Sequence, residues 1–504
     1  MRFYMEQFGC RATQADGAAI ERQLRAVGGT AVPTPTSADV VVVNTCTVTA
    51  AADTQARDAI RKIHALNPAA HVIVTGCYAQ RAPEELAGLP GVSWVVGNSH
   101  KPEIPNLLAS FSPGIRDFFS VEALQVRPAS GVHAPGMGPQ HSPLHGKILV
   151  GDMAQQTEVL TAPVSGGEGS HTRPTLKIQD GCNSRCSYCV IPFVRGRSRS
   201  LPPESVIREI RHLCACGFRE IVLSGINLGS YGRDLSPRVE FIDLLRQILE
   251  DTAVERLRTS SIEPLDVTRD LIALFAATER VAQHFHMPLQ SGSDRILAAM
   301  HRWYRAEHYA RRVELIREHL PHAAIGADVI TGFPGETPSD HAATLDFIER
   351  RPFTYLHVFS FSKRPGTKAA SLSNEVPGAT IKHRARELRA LGEAKAMAFR
   401  DSQIGRTLRV LTLRSYADHP ADCRELPFSS ITPNLASSGR SWSTPALSSN
   451  YLRVRIPGSY PANLWLPVLV SVTEGNYLVG QPALSETNPF GVSRASSAPW
   501  PLSL

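Results

Sequence analysis

Short apolar runs and amphipathic stretches take turns along the first hundred residues. The runs RFYMEQFG, DVVVVNT, HVIVTG and SWVVGN are brief, rich in β-branched and aromatic residues, and bounded by Gly, Asn or Asp, which predicts buried strands. Between them, ADGAAIERQLRAVGG and ADTQARDAIRKIHALN carry helical patterning. Strand and helix in alternation predict a parallel sheet with helices on both faces.

Residues 110–173 break this alternation. PASGVHAPGMGPQHSPLHG and APVSGGEGSHTRP are dense in Gly, Pro, Ser and His, and the segment reads as a flexible linker or insertion. From 174 to 404 strand-like runs return, namely TLKIQ, EIVLSGIN, RLRTSSI, HFHMPLQ, AIGADVITGF and TYLHVFSF. Helical stretches such as PPESVIREIRHLCACG, FIDLLRQILED and RAEHYARRVELIREHL separate most of them. Repeated βα units predict a full or partial barrel, closed by the charged helix TIKHRARELRALGEAKAMAFRDSQIG. Over 405–485, RTLRVLTLRS, NYLRVRIPG and WLPVLVSVTEGNYLVGQ predict a small β-barrel module. The Ser/Pro-rich LPFSSITPNLASSGRSWSTPALSS interrupts it, and 486–504 reads as a loose tail.

A chain of 504 residues is expected to hold roughly two to four domains. Its formal charge of +7 is compatible with a polyanionic partner without demanding one. MRFYMEQFGC lacks the charged head, apolar middle and cleavage site of a signal peptide, and no apolar run approaches bilayer length. A cytoplasmic protein without a membrane partner is therefore expected. There, the nine cysteines are thiols or metal ligands rather than disulfides.

Six of those cysteines form two sets. Cys182, Cys186 and Cys189, in DGCNSRCSYCVIPFVRGRSRS, have the spacing C-x3-C-x2-C and follow the strand TLKIQ. The first βα loop of a barrel faces its active-site mouth. Three thiolates this close can hold one corner of a cubane iron–sulfur cluster, leaving one iron without a protein ligand. Zinc is the competing reading, but it usually takes two separated pairs or a nearby His, and neither accompanies this loop. Cys10, Cys46 and Cys77 are far apart in sequence, yet each ends a predicted strand: EQFGC, VVVNTC, VIVTGC. The carboxyl ends of parallel strands share one edge, so these three can converge on a second cluster with an open iron. Cys214 and Cys216 read as packing residues and Cys423 as incidental. His284 and His286 alternate along a strand, so one of them is expected to point into the barrel as polar lining.

The aromatic Tyr188 before the third cysteine resembles the radical S-adenosylmethionine (SAM) enzymes. Two three-cysteine sets, one on an α/β domain and one on a barrel, followed by a β module called TRAM, resemble the methylthiotransferase branch. NTCTVTAAAD, KIQDGCNSRCSYCVIPFVRGRSRS, LSGINLGSYGRD, SSIEP, HMPLQSGSDRIL, DVITGFPGET and HVFSFSKRPGTKA stand in that family's order, and the likeness covers most of residues 1–110 and 174–405. The resemblance implies a flavodoxin-like parallel α/β domain over 1–109, a partial (β/α) radical SAM barrel over 174–404, and a divergent TRAM-like β-barrel. It implies two 4Fe–4S clusters, an auxiliary one on Cys10, Cys46 and Cys77 and one on Cys182, Cys186 and Cys189 whose open iron takes SAM.

NTCTVT and RGRSRS resemble the tRNA enzymes that add methylthio to C2 of N6-threonylcarbamoyladenosine beside the anticodon. Enzymes acting on isopentenyladenosine tRNA or on a ribosomal-protein Asp are the alternatives inside the family. A non-catalytic iron–sulfur RNA-binding protein is the alternative outside it. The implied partners are the tRNA anticodon arm and a flavodoxin- or ferredoxin-like electron donor. For SAM, the candidate contacts are Tyr188, Gly225, Asn227, Glu263 and Gln290. Arg195, Arg197 and Arg199 are candidates for tRNA phosphate or the threonylcarbamoyl carboxylate, since guanidinium forks suit both.

Overall fold

The computed structural model describes residues 1–109, 146–164, 172–414 and 443–483. The chain divides into two compact units, one of residues 1–399 with 449–451 and one of 400–448 with 452–504.

In the first unit, β1 (Arg2–Gln7), β2 (Thr30–Ala31), β3 (Val40–Thr45), β4 (His71–Gly76), β5 (Val92–Val96) and β6 (Lys147–Leu149) form one sheet. Their order is 2-1-3-4-5-6 and every neighbouring pair is parallel, the flavodoxin-like arrangement with one added edge strand. The four-valine run of β3 shows why this strand is apolar throughout. Val40 and Val42 pack with Ile20 and Leu24 of the helix Arg11–Ala26. Val41 and Val43 pack on the other face, against Ala56, Ile60 and Ile63 of the helix Ala50–Leu66. Strand β6 corrects the reading of 110–173 as linker alone. Its three residues pair with β5 from Trp94↔Lys147 to Val96↔Leu149, too short a run to show any period in sequence.

Next come β7 (Thr175–Lys177), then the two-residue antiparallel pair β8 (Gln179–Asp180) and β9 (Arg199–Ser200). They are followed by β10 (Glu220–Ser224), β11 (Arg256–Thr259), β12 (His284–His286), β13 (Ala324–Thr331) and β14 (Tyr355–Ser360). Strands β11-β10-β7 make one parallel sheet and β12-β13-β14 another, joined by the bridge Leu257↔Val281. Among the described residues β7 and β14 do not pair, so the barrel is partial.

Alternation along these strands fixes what faces inward. Phe285, Ile325, Ala327 and Val329 join the apolar layer packed by the helices, and Leu356 and Val358 lie against it. The intervening residues His284, His286, Gly326, Asp328, Tyr355 and His357 therefore line the lumen. Here the sequence expectation needs correcting: residues two apart on a strand share a face, so His284 and His286 both point inward.

In the second unit, β15 (Thr407–Thr412), β16 (Ser443–Ser448), β17 (Arg453–Pro457), β18 (Trp465–Glu474) and β19 (Tyr477–Pro482) close into a barrel in the order 15-16-17-19-18. Val410, Ala446, Val454, Ile456, Val468, Val470 and Leu478 fill it. Strand β16 lies inside the Ser/Pro-rich stretch read as an interruption, where Thr444, Ala446 and Leu447 are buried despite the polar composition around them. Among the described residues no helix is long and apolar enough to cross a membrane. Cys423 and the expected tail 486–504 fall outside the described residues.

Candidate functional site

Cys46 and Cys77 immediately follow β3 and β4, and Cys10 stands at the N-cap of the helix Arg11–Ala26 just beyond β1. Gly9, at φ +101°, lets the first loop pass close to the second: a Cβ there would fall 2.5 Å from Cys46 Cβ. The three thiols are near enough to act on one another. Burial pushes the Cys46 thiol up to about 12, and the negative charges of Cys77 and Cys10 add to the effect. The sheet edge thus brings together three residues that are distant in sequence.

The second set sits on a loop pinned at several points. Cys182 N–H donates to Gly196 O (3.1 Å) and Cys189 N–H to Cys186 O (3.1 Å). Ser187 anchors the middle: its N–H donates to Met300 O (3.0 Å), its hydroxyl to Ala299 O (2.8 Å), and its carbonyl accepts from Ala369 N–H (2.8 Å). Arg302 Nη1 donates to Cys186 Sγ at 3.3 Å, and the same guanidinium pairs with Glu263. Burial pushes the Cys189 thiol up to about 12 and raises that of Cys186.

Neither set has the compact spacing of a single tetrahedral ion, and thiol-only donor sets of three are what iron–sulfur clusters take. Sulfurs around one tetrahedral zinc stand about 3.8 Å apart, given Zn–S bonds of about 2.3 Å. Among the described residues neither triad brings its three sulfurs within 4.8 Å of one another. All six thiols are free of disulfides. Thiols as reluctant to ionise as Cys46 and Cys189 need a cationic centre to become thiolates.

Charged and apolar contacts tie the two sets to each other. Cys77 packs with Val190 and Val194 of the second loop. Asn98 Nδ2 donates to Val194 O (2.6 Å) and lies 3.6 Å from Cys77 Sγ. Asp16, on the helix that starts after Cys10, accepts from Arg195 (3.0 Å) and Lys101 (2.6 Å) and also pairs with Lys177. Asp180 accepts from Arg195 (3.0 Å) and Lys177 (2.7 Å). A second tie links Arg364 to Asp53 at 2.5 Å.

This network corrects the reading of the arginine cluster. Arg195 is 2% exposed and committed to two carboxylates, and buried Arg199 donates to the carbonyls of Glu158, Arg195 and Arg197. Neither is available to tRNA phosphate. Only Arg197 of the three is exposed.

Beside the second set lies a cleft of about 390 Å³ lined by Asn183, Asn227, Asp234, Glu263, Arg302 and Tyr304, among others. It holds a buried acceptor without a partner, Asn227 Oδ1. Burial raises the carboxyl of Glu263, partly offset by Arg302. An unpartnered amide oxygen and a carboxylate beside the loop of Cys186 suit a ligand with an ammonium group, as SAM has.

The remaining candidates are placed as follows. A Cβ at Gly225 would fall 2.9 Å from Gln179 Oε1, so the close approach there is made by Gln179, which also accepts from Asn227 N–H (2.9 Å). Tyr188 packs with Ile296, Met300, Phe333 and Ala369. Gln290 is buried at φ +64° and does not line the cleft. Cys214 lies against the barrel core, whereas Cys216 is exposed rather than packed. Sequence reasoning missed Arg302, Asp16, Lys177 and Gln179. Only Gln179 and Lys177 carried a local signal, by their position on the strand leading into the cysteine loop.

Residues 2–97 match the uncharacterized protein family UPF0004, and residues 176–348 match the radical SAM superfamily. The chain is 37% identical over 414 residues to the threonylcarbamoyladenosine tRNA methylthiotransferase MtaB of Aquifex aeolicus, covering 82% of this chain and 93% of that protein. It is 34% identical to the protein of the same name from Bacillus subtilis (81% and 84% covered). The tRNA-2-methylthio-N(6)-dimethylallyladenosine synthase of Thermobifida fusca is 35% identical (81% and 77% covered). Among solved structures, the radical SAM methyltransferase TsrM of Kitasatospora setae shares the fold at TM-score 0.54 and 17% identity, covering 73% of this chain and 76% of that one.

Proposed function

The chain belongs to the radical SAM methylthiotransferases, and on that premise we propose that it modifies tRNA, placing a methylthio group on C2 of N6-threonylcarbamoyladenosine beside the anticodon. The observation that carries this reading is the meeting of two cysteine triads within one compact unit, with Cys77 packed on the loop that bears Cys189. A reaction that needs both a sulfur donor and a hydrogen-abstracting centre requires such closeness.

In this reading Cys182, Cys186 and Cys189 hold one 4Fe–4S cluster, and Cys10, Cys46 and Cys77 hold an auxiliary one. When bound, the clusters and SAM supply the one-electron chemistry that removes hydrogen from the adenine C2 and delivers sulfur in its place. The chain's own residues do the positioning. Glu263 and Asn227 receive the polar end of SAM, and Arg302 holds Glu263 while laying positive charge against Cys186. The apolar cluster of Ile296, Met300, Phe333 and Tyr188 keeps water from that side of the site.

The C-terminal barrel serves the anticodon arm. Arg409 lies 4.7 Å from the Trp465 ring and Arg455 3.9 Å from the Tyr477 ring, pairings that suit stacking and charge on single-stranded RNA. Electrons come from a flavodoxin- or ferredoxin-like protein in the cytoplasm. The Thermobifida fusca relative favours one other reading, isopentenyl-type adenosine as the target. Anaerobically reconstituted protein, given SAM, reductant and tRNAs bearing each nucleoside, decides between them by mass spectrometry of the digested tRNA. Methylthio on the threonylcarbamoyl nucleoside is the expected product; its appearance on the isopentenyl nucleoside alone would overturn the proposal.

A further inference from the structure

A row of polar side chains crosses the lumen wall of β12, β13 and β14, outside the cysteine sites and the SAM cleft. His286 Nε2 lies 3.0 Å from Asp328 Oδ1, and His357 Nδ1 lies 3.2 Å from the same oxygen. Behind them the Tyr355 hydroxyl meets His286 Nδ1 (2.9 Å) and His284 Nε2 (2.7 Å). Gly326 makes this possible: it pairs with His286 on one side and Tyr355 on the other, and a Cβ there would fall 2.0 Å from the Tyr355 ring. With no side chain between them, Tyr355 reaches across β13 to both histidines.

The row faces the lumen of the barrel whose first loop carries Cys182, Cys186 and Cys189. On one side the Asp328 charge acts on Glu263, the partner of Arg302, which touches Cys186. On the other side Arg11, next to Cys10, acts on His284 and Tyr355. A nucleoside whose carbon loses hydrogen at one set and gains sulfur at the other enters at the mouth of the barrel, where the lumen wall is the surface it meets. The wall offers imidazole, carboxylate and phenol groups in succession. It would set a prenyl group against the open ring of His357, whereas a ureido group with a carboxylate and a hydroxyl can hydrogen-bond to it.

Among the inner members, His284 keeps one buried ring nitrogen, Nδ1, without a partner. His286 is buried, and both of its ring nitrogens have partners. His357 is the open end: its side chain is 54% exposed, and only Nδ1 is engaged by Asp328. Burial would push the Asp328 carboxyl up, but the hydrogen bonds from His286 and His357 hold it well below the usual carboxylate range. As a carboxylate it accepts from the His357 ring and fixes its orientation.

Resting on the threonylcarbamoyladenosine reading above, we infer that His357, oriented by Asp328 and through it by His286, receives the polar N6 side chain of the target nucleoside and sets the preference for it over an apolar one. Asp328 and His286 are positioning residues in this arrangement.

The test uses full-length, cluster-loaded wild type, His357→Leu, His357→Gln and Asp328→Asn. Each is assayed on tRNA carrying N6-threonylcarbamoyladenosine and on tRNA carrying isopentenyladenosine. His357→Leu is expected to raise KM for the threonylcarbamoyl tRNA by roughly ten- to a hundredfold, the worth of one hydrogen bond to a charged group, with kcat affected much less. The preference between the two tRNAs narrows by the same factor. His357→Gln recovers part of the loss, and Asp328→Asn raises KM in the same direction. Unchanged KM and preference in His357→Leu, with iron content and circular dichroism intact, overturns the inference. So does a stoichiometric divalent ion, measured by elemental analysis beyond the cluster iron, that is lost in Asp328→Asn, since the three groups would then be a metal site. Wild type that modifies only the isopentenyl tRNA refutes the underlying function instead, which keeps the two failures apart.

Discussion

Arg195 donates to Asp16 at 3.0 Å, across 179 positions of chain, and this contact joins the loop of Cys182, Cys186 and Cys189 to the helix that begins beside Cys10. Lys101 and Lys177 meet the same carboxylate, and Arg195 also grips Asp180. Three cations and two anions are buried here, each paired with at least one opposite charge. Such a cluster contributes little net stability but is costly to break, because removing one member strands the others.

Asp16→Asn is therefore expected to destabilise the first unit by about 3–5 kcal/mol, since Arg195, Lys101 and Lys177 would keep their charges beside a neutral amide. Urea denaturation followed by tryptophan fluorescence measures this. A loss under 1 kcal/mol would show that the cluster is dispensable.

Acid should weaken the fold through Glu220. Burial pushes its carboxyl up, but Arg258, Arg173 and Arg256 outweigh that and hold it at about 2. The unfolded value is about 4.3, so the native carboxylate is the better acid. Its stabilising effect is complete above about pH 4.5 and is lost as the pH falls toward 2. Denaturation midpoints between pH 7 and pH 3 should drop below that point. Glu220→Gln should be less stable at pH 7 and lose less on acidification; an equal acid loss in the variant would assign the effect elsewhere.

Iron analysis separates the two cysteine sets. Anaerobically purified wild type is expected to carry about eight irons, and either Cys46→Ala or Cys186→Ala about four. A variant that loses all or none of its iron would contradict two independent clusters.

Arg302→Met removes the guanidinium from both Cys186 and Glu263. SAM binding to the cluster-loaded protein, followed by equilibrium dialysis, should weaken about tenfold or more, because half-buried Glu263 then loses its cation. Unchanged affinity would remove Glu263 and Arg302 from the SAM site.

Much of the fold was legible because local pattern and burial agree. The VVVV of β3, covered on both faces, and the amphipathic stretch over Arg11–Ala26 could be read directly. The short strands could not. Lys147–Leu149 and Ser443–Ser448 are held by neighbours in the sheet, and their own residues carry no period. The arginine triplet was misjudged for a related reason. Alternating Arg195, Arg197 and Arg199 look alike in sequence, and only packing sends two inward and leaves one in solvent.

The sequence by itself determined the chemistry: C-x3-C-x2-C must lie on one short segment because only seven positions separate the first cysteine from the last, and strand-ending cysteines must share an edge once the sheet is parallel. Tertiary structure alone decided what surrounds them. Arg302 reaches Cys186 over 116 positions, and His357 meets Asp328 over 29. Side chains that far apart in sequence meet only where strands and helices have already packed, so their partnership is a property of the folded lumen and not of any stretch of residues.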